Sequence, residues 1–354
     1  SKNMVLIQSQ KYYSQTYNYK INVKQDYSNA LVNGTLLELE LLPITGEYKT
    51  SSDKKYTTQI LESHFNLLKE SYILHQSSLL KLVKLDFNEE DDEDDLQNNN
   101  TKKQNKKEVI ETIKLDEKNE SIFLGYVFSL LTRYEKLFSS NAGSQSAIPP
   151  PVFSVLKKYL NVDGECYASP LNHQLPLYFS AFKDTDEVFG SLGPFCDNNS
   201  IEEGSWECNP PFDVNSIFSA LRTIHSILNR AEQFEKSVTF SVFFADVSNN
   251  QGVTNLIDSM SKHKRADSLI KEHCYMYGFR HRPMYTESYR NTSKSTERMN
   301  LFWQPSRVTR FLLFQSSKAF EELCHNDTNY VETIVKEITK AFAHNINVAK
   351  NEGK

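Results

Sequence analysis

The sequence predicts an α/β fold in its second part, residues 141–354, preceded by a mainly helical domain over residues 1–140. In the second part, short β-branched and aromatic runs alternate with stretches of helical spacing, which is typical of a mostly parallel sheet covered by helices. In the first part, helical spacing dominates. The stretch Ser140–Pro151 contains glycine, three prolines and small polar residues, so we interpret it as the linker.

Composition restricts the class of protein. With 354 residues and 39% hydrophobic residues, the chain can bury a substantial core. The formal net charge of −5 argues against a uniformly basic nucleic-acid-binding surface. Five scattered cysteines without a Cys-x-x-Cys pair predict reduced thiols and no metal site. The chain has no apolar run of membrane-spanning length, so we expect no membrane partner.

The helical part is interrupted by a polar insertion. Helices are predicted at Tyr56–Leu85 and Ile122–Leu137, and Gly34–Leu42 alternates as a strand does. Residues 88–107 join an acidic block, an asparagine run and a lysine block, which cannot bury enough apolar surface to fold. We expect a disordered insertion there; the alternative is an acidic tract that docks on a basic partner.

The second part alternates helices with strands. A short amphipathic helix is predicted at Val152–Leu160, and a second one follows Asp213, a good N-cap residue. A last helix is predicted through Phe342, and Asn345–Lys354 is expected to fray. Strands are predicted at Glu165–Ser169, Glu187–Phe189, 204–208, 237–245 and 308–315.

One tetrapeptide carries the clearest chemical signal: Asn209, Pro210, Pro211 and Phe212. Asn-Pro-Pro-aromatic is a signature of enzymes that methylate an exocyclic amine of a base. The asparagine side-chain carbonyl and the next main-chain carbonyl offer two acceptors for the two amine hydrogens. The prolines stiffen the turn, and the aromatic ring can stack on an extruded base. The alternative is an ordinary strand-to-loop turn.

The residues around the tetrapeptide favour the catalytic interpretation. A strand precedes Asn209, and a helix and a further buried strand follow it. This order places Asn209 at the carboxyl end of a strand, where open α/β sheets bind ligands. Cys208 precedes Asn209 and suggests a nucleophile, but we expect it to be a small buried side chain that closes the strand.

Five motifs in this order resemble the cap-specific adenosine N6-methyltransferase family of phosphorylated CTD-interacting factor 1-like proteins. The motifs are Ile148–Leu156, Glu165–Asn172, Tyr178–Asp186, Phe189–Pro194 and Gly204–Phe212. The resemblance implies a Rossmann-like S-adenosylmethionine-dependent methyltransferase core after a helical domain. It also implies direct in-line transfer without a metal or a covalent enzyme intermediate, and a nuclear location, with a cytoplasmic one as the alternative.

The same resemblance assigns a target and a cofactor site. The target is the first transcribed adenosine next to the mRNA cap, which carries a 2′-O-methyl group in this family. The residues implied to bind S-adenosylmethionine are Ala168, Ser169, Pro170, Asn172, Asp186, Phe189, Gly190 and Ser191. The alternative is that these residues form only a turn ended by a proline and a turn at a glycine.

Two features bear on the partners. Trp206 and Trp303 are the only tryptophans, so we expect the family's WW module to be absent and docking on a phosphorylated polymerase tail is not implied. Basic residues interleaved with aromatics crowd residues 262–310, which suits a groove that grips RNA phosphates and stacks bases. A solvated loop with buried tyrosines is the alternative. The expected RNA-binding residues are Arg280, Arg282, Arg298 and Arg307.

Three functions stay open from the sequence. The first is N6-methylation of adenosine at the capped end of mRNA. The second is adenine N6-methylation of another RNA or of DNA. The third is a catalytically silent family member that binds RNA or acts as a scaffold, which the intact tetrapeptide argues against.

Overall fold

The computed structural model describes residues 19–26, 36–43, 56–87, 115, 117–138, 146–197, 201–271, 275–276, 302–303, 307–324 and 327–352. The chain divides into two compact units, Ser1–Leu137 and Phe138–Lys354. Among the described helices, none is both long enough and apolar enough to cross a membrane.

The first unit contains a small antiparallel sheet and two long helices. The sheet order is β1-β2-β3. Its elements are β1 (Tyr19–Asp26), β2 (Leu36–Pro43), β3 (Tyr56–Leu61), α1 (Glu62–Phe87) and α2 (Glu117–Phe138). The ring centroids of Phe65 and Phe123, which lie on the two helices, are 5.3 Å apart.

The prediction for this unit was right for β2 and α2 and wrong at the start of the first helix. Residues 56–61 form β3 because Thr58 and Ile60 alternate on one buried face and pair with β2. Such a short run fits both helical and strand spacing, and the long helix that follows favoured the wrong choice. The polar insertion at 88–107 lies outside the described residues.

The second unit is built on a six-stranded sheet. Its strands are β4 (Gly164–Ala168), β5 (Leu177–Ser180), β6 (Gly204–Cys208), β7 (Val238–Ala245), β8 (Lys264–Ile270) and β11 (Thr309–Gln315). Their order in the sheet is β5-β4-β6-β7-β11-β8. Two short strands, β9 (Tyr275–Met276) and β10 (Phe302–Trp303), form a separate ribbon. The helices are α3 (Pro150–Leu160), the one-turn α4 (Lys183–Asp186), α5 (Val214–Gln233), α6 (Gln251–Ser259), α7 (Ser317–Cys324) and α8 (Tyr330–Glu352).

The expected α/β fold with a mostly parallel sheet is confirmed. The four strands β5, β4, β6 and β7 run parallel, and β11 is antiparallel to both of its neighbours. From β4 the chain first adds β5 on one side and later adds β6 on the other side. This reversal between β4 and β6 is a topological switch point, which is where open α/β sheets leave a crevice for ligands.

Both faces of the sheet are covered. One core includes Cys208, Phe240 and the apolar side of α5, and the other includes Phe243, Phe311 and residues of α3 and α8. All eight residues of β7 are buried, as expected of a central strand with helices on both faces. The expected N-cap is confirmed, because the Asp213 carboxylate accepts a hydrogen bond from the Ser216 amide at 2.9 Å.

Three elements in this unit differ from the prediction. Glu187–Phe189 forms a 3₁₀ turn that ends at Gly190 with φ 95°, and the second strand is instead Leu177–Ser180. The strand β8 was missed because its charged and polar residues hide the buried positions Ala266 and Ile270. The helix α3 begins at Pro150, inside the expected linker, because proline is well tolerated in the first turn of a helix.

Candidate active site

Asn209 lies immediately after β6 with 7% of its surface exposed. Its amide nitrogen Nδ2 donates to the main-chain oxygen of Ser146 at 2.9 Å. Because that oxygen can only accept, the side chain must turn Nδ2 toward it and Oδ1 away. Oδ1 is buried, and no donor among the described residues bonds to it. A buried acceptor without a donor is costly and uncommon, so this oxygen is a candidate acceptor for an N–H group of a ligand.

A chain of hydrogen bonds supports Asn209 from β4. The carboxylate of Glu165 accepts from the Gln174 amide at 2.5 Å and from the amide of the following residue at 2.7 Å. The Gln174 side chain in turn donates to the Ile148 oxygen at 3.0 Å. Ile148 is two residues from Ser146, whose oxygen holds Asn209. The orientation of Asn209 therefore depends on residues that are distant in sequence.

The rest of the tetrapeptide forms a stiff connection into α5. Pro210 is buried, while Pro211 and Phe212 are half-buried. The Asp213 amide donates to the Pro211 oxygen at 2.8 Å, which closes a tight turn just before the helix. The ring of Phe212 meets the ring of Tyr275 edge-on, with centroids 5.2 Å apart and an interplanar angle of 78°.

The first group of expected cofactor residues forms one tight turn at the carboxyl end of β4. The Asn172 amide donates to the Ser169 oxygen at 3.1 Å, and the Ser169 hydroxyl donates to Asn172 Oδ1 at 2.8 Å. Pro170 is buried within this turn, and Ala168 is half-buried before it. Since β4 and β6 are neighbours, the turn and Asn209 lie at the same edge of the sheet, on either side of the switch point.

The second group of expected cofactor residues lies on the segment after β5. Ser191 reaches the carboxyl end of that strand, where its hydroxyl bonds to the Ser180 hydroxyl at 2.5 Å. The Phe189 oxygen accepts from the buried Tyr178 hydroxyl at 2.9 Å. Gly190 adopts φ 95°, and no described atom lies within 4 Å of the position that a Cβ would take. The space beside this glycine is therefore open.

Asp186 is placed differently from the other expected cofactor residues. It is fully buried, and its carboxylate accepts from the Thr185 hydroxyl at 2.8 Å and the Phe182 amide at 3.4 Å. These bonds hold the turn α4 together. Contact between Asp186 and a ribose stays a prediction.

Comparison with known proteins identifies the family. Residues 107–280 match the family described as phosphorylated CTD interacting factor 1 WW domain. Two proteins named mRNA (2′-O-methyladenosine-N(6)-)-methyltransferase, from Mus musculus and Homo sapiens, are each 32% identical to this chain over 173 residues. Residues 107–280 of the chain belong to the phosphorylated CTD interacting factor 1 family.

The match is partial on both sides. It covers 47% of this chain and 24% of each of those two relatives. The description of the family names a WW domain, whereas the described residues within 107–280 form α2 and the elements from α3 to β9. The resemblance drawn from the five motifs is confirmed.

In this family member, two buried glutamates lie side by side next to the motif. Glu165 on β4 pairs with Glu207 on β6, and the two are 2% and 1% exposed. Burial raises the pKa of Glu207 well above its usual value, and the neighbouring charge of Glu165 raises it further. Burial beside Glu165 therefore favours the protonated, neutral form of Glu207. Sequence reasoning missed this pair, although a glutamate inside each of two apolar strands was a visible signal.

The cysteine next to the motif behaves as expected. Cys208 is fully buried, and burial raises the pKa of its thiol. The thiol therefore stays protonated, as suits a packing residue, and does not become a nucleophilic thiolate. Among the described residues, no group of three or more histidine, cysteine or acidic side chains is placed to hold a metal ion.

Of the four arginines expected to bind RNA, only Arg307 lies among the described residues, and it is exposed. Arg280, Arg282 and Arg298 lie outside them. The neighbouring Arg310 is committed to an ion pair, because its guanidinium donates to the Asp267 carboxylate at 2.8 and 2.7 Å. The RNA groove stays a prediction.

Proposed function

We propose that the second unit transfers a methyl group from S-adenosylmethionine to the N6 amino group of adenosine in RNA, at the first transcribed nucleotide next to the mRNA cap. The observation that carries this proposal is the acceptor oxygen of Asn209. It is oriented by Ser146, has no donor among the described residues, and lies beside the switch point of the sheet. An amino group with two N–H donors matches that acceptor.

The residues around the switch point fit the cofactor. The sheet order is that of a doubly wound fold with a strand reversal at β4 and β6, which supports a Rossmann-like methyltransferase core. Open space beside Gly190 leaves room for a ligand close to the main chain. When bound, S-adenosylmethionine supplies a methyl group that its sulfonium already activates. The residues that would hold it are Ala168, Ser169, Pro170, Asn172, Gly190 and Ser191.

The chain's part in the reaction is to bind and orient the amine. Asn209 Oδ1 accepts one N6 hydrogen, and we assign the second to the main-chain oxygen of Pro210. Held in this way, the nitrogen presents its lone pair to the methyl carbon, and positioning supplies most of the acceleration. Positive charge develops on N6 as the new bond forms, and the two carbonyl oxygens stabilise it. The surplus proton is then released to water.

Entry of the base requires a local movement. Asn209 Oδ1 has almost no contact with solvent, so the amino group reaches it only when the groups that cover it move aside. Phe212 then offers the ring on which the base stacks, which offsets part of the cost of taking the base out of its own stack. The stiff turn through Pro210 and Pro211 keeps the ring and the acceptor at a fixed spacing.

Capped mRNA is proposed as the substrate on family grounds together with charge. Both relatives are named as methyltransferases of mRNA 2′-O-methyladenosine. The basic and aromatic residues of the 262–310 segment supply the chemistry for gripping a single strand. We place the activity in the nucleus, where such transcripts are made.

The test uses the purified full chain with labelled S-adenosylmethionine. Three substrates are compared: RNA with a capped 2′-O-methyladenosine start, the same RNA uncapped, and single-stranded DNA. We expect transfer to the capped RNA, and none from Asn209→Ala, while the exposed control Asn255→Ala keeps full activity. Equal methyl transfer to all three substrates would contradict the proposal that the enzyme is specific for capped RNA. Full activity in Asn209→Ala, or no transfer by the wild-type chain to any adenosine substrate, would overturn the proposal.

A further inference from the structure

The aromatic ring of the motif, which packs against both hydrophobic cores, also contacts a buried tyrosine edge-on. Tyr275, in β9, has no exposed surface. Its ring lies 5.2 Å from the ring of Phe212 between centroids, at 78°, which is the edge-to-face arrangement that aromatic pairs prefer. Such a contact restrains the tilt of the Phe212 ring, since rotation of either ring would lose the favourable geometry.

Tyr275 is itself fixed by contacts that the motif does not share. Its hydroxyl bonds to the hydroxyl of Thr309 at 3.0 Å, and both residues are fully buried. Its ring also packs against Phe342 of α8, with centroids 6.0 Å apart. In the backbone, Tyr275 pairs with Trp303 in the β9–β10 ribbon. The tyrosine is therefore held by hydrogen bonding, by packing and by strand pairing.

The anchor of this tyrosine belongs to the same edge of the sheet as Asn209. Thr309 is the first residue of β11 and pairs with Ala245 at the end of β7 and with Ile270 at the end of β8. Because β11 runs against β7, its first residue lies at the edge where the parallel strands end. The bond between the two hydroxyls therefore ties Tyr275 to the sheet edge that carries the motif.

We propose that Tyr275 is a positioning residue: by fixing the ring of Phe212, it sets the plane on which the target base stacks in front of Asn209. This inference rests on the proposed function and adds a residue outside the tetrapeptide to the site. Tyr275 touches no reacting atom in this arrangement. Its effect passes through Phe212, so its loss lowers turnover more than binding of the cofactor.

The experiment compares kcat, KM for capped RNA and affinity for S-adenosylmethionine in matched variants. Tyr275→Leu removes the ring edge and should lower kcat about tenfold, within the range that a misplacement of reacting groups by under 1 Å costs. Tyr275→Phe keeps the ring and should recover most of that loss. Tyr330→Phe is the control, because Tyr330 is a buried tyrosine of the same core whose hydroxyl bonds to Gln315 and not to the motif side.

Thr309→Val supplies a second test that leaves the tyrosine unchanged. It removes the partner hydroxyl at nearly constant shape, so its effect on kcat should equal that of Tyr275→Phe. The double variant should be no worse than either single variant, because both delete the same hydrogen bond. These conservative variants keep the proposal testable if Tyr275→Leu fails to fold.

A binding assay separates this inference from the proposed function. RNA carrying 8-vinyladenosine in place of the target adenosine keeps the N6 amino group, and its fluorescence falls when that base stacks on a ring. We expect quenching by the wild-type chain, weaker quenching by Tyr275→Leu, and none by Phe212→Leu. If quenching follows this order but the wild-type chain transfers no methyl group, the proposed enzymatic function is wrong while the role of Tyr275 in positioning Phe212 stands. Unchanged quenching and unchanged kcat in Tyr275→Leu would show that Tyr275 is merely a core residue.

Discussion

Replacing Glu207 with glutamine should stabilise the protein by an amount that grows with pH. Glu207 is 1% exposed and lies beside Glu165 on the neighbouring strand. Burial, and then the charge of Glu165, raises the pKa of Glu207 well above its usual value. In the unfolded chain the same carboxyl group has a pKa of about 4.3. The folded protein therefore holds a proton that the unfolded chain releases over a wide pH range.

The sign and the magnitude follow from this difference in bound protons. Below pH of about 4.3 both states carry the proton, and Glu207 adds no pH dependence. Above it the unfolded state is favoured, so the unfolding free energy falls by about 1.4 kcal/mol for each pH unit until the pKa of the folded state is reached. Glutamine has a similar shape and cannot ionise, so this slope is absent from the variant.

Urea unfolding of the wild-type chain and of Glu207→Gln at pH 5, 6, 7 and 8 measures the effect. The stability difference should widen in favour of the variant as pH rises above about 4.3, by at most about 1.4 kcal/mol per pH unit, and should level off once the pKa of Glu207 in the folded state is passed. Glu203→Gln is the control, because it makes the same substitution at an exposed carboxylate. A difference for Glu207→Gln that does not change with pH would refute the conclusion that burial raises the pKa of Glu207.

Two further predictions concern the support of the motif. Gln174→Ala deletes the bond to the Ile148 oxygen and should lower methyl transfer about tenfold, because Asn209 is then misplaced. The affinity for S-adenosylmethionine, measured by calorimetry, should not change. Equal losses of methyl transfer and of cofactor affinity would contradict the idea that Gln174 supports Asn209. Asp213→Ala removes the cap of α5 and should lower the unfolding free energy by about 1 kcal/mol in urea titration. Asp213→Asn keeps a side-chain acceptor and should restore most of the lost unfolding free energy. If Asp213→Asn is as unstable as Asp213→Ala, the charge of Asp213 and not its capping bond stabilises the helix.

The sequence predicted the parts of the fold that local pattern determines. The central strand β7 is a run of eight buried residues, so its length and burial were evident. Asn209 follows a strand and precedes a capped helix, and this order alone predicts its place at the sheet edge. The turn from Ser169 to Asn172 was likewise marked by its proline.

The parts that the sequence did not predict depend on distant residues. The strand β5 is four residues long, too short to show periodicity, and it exists because it pairs with β4. The bond from Asn209 to Ser146 joins residues 63 positions apart, and no local pattern announces it. The contact of Tyr275 with Phe212 spans a similar separation and follows from how β9 meets the sheet edge.

The central claim is that Asn209 Oδ1 receives the amino group of adenosine. The most direct measurement is the distance between that oxygen and adenine N6 in an experimental structure of the full chain with S-adenosylhomocysteine and a capped adenosine-initiated RNA. We expect about 2.9 Å, a normal N–H···O hydrogen bond. An adenine bound elsewhere, or one whose N6 is turned away from Asn209, would contradict it.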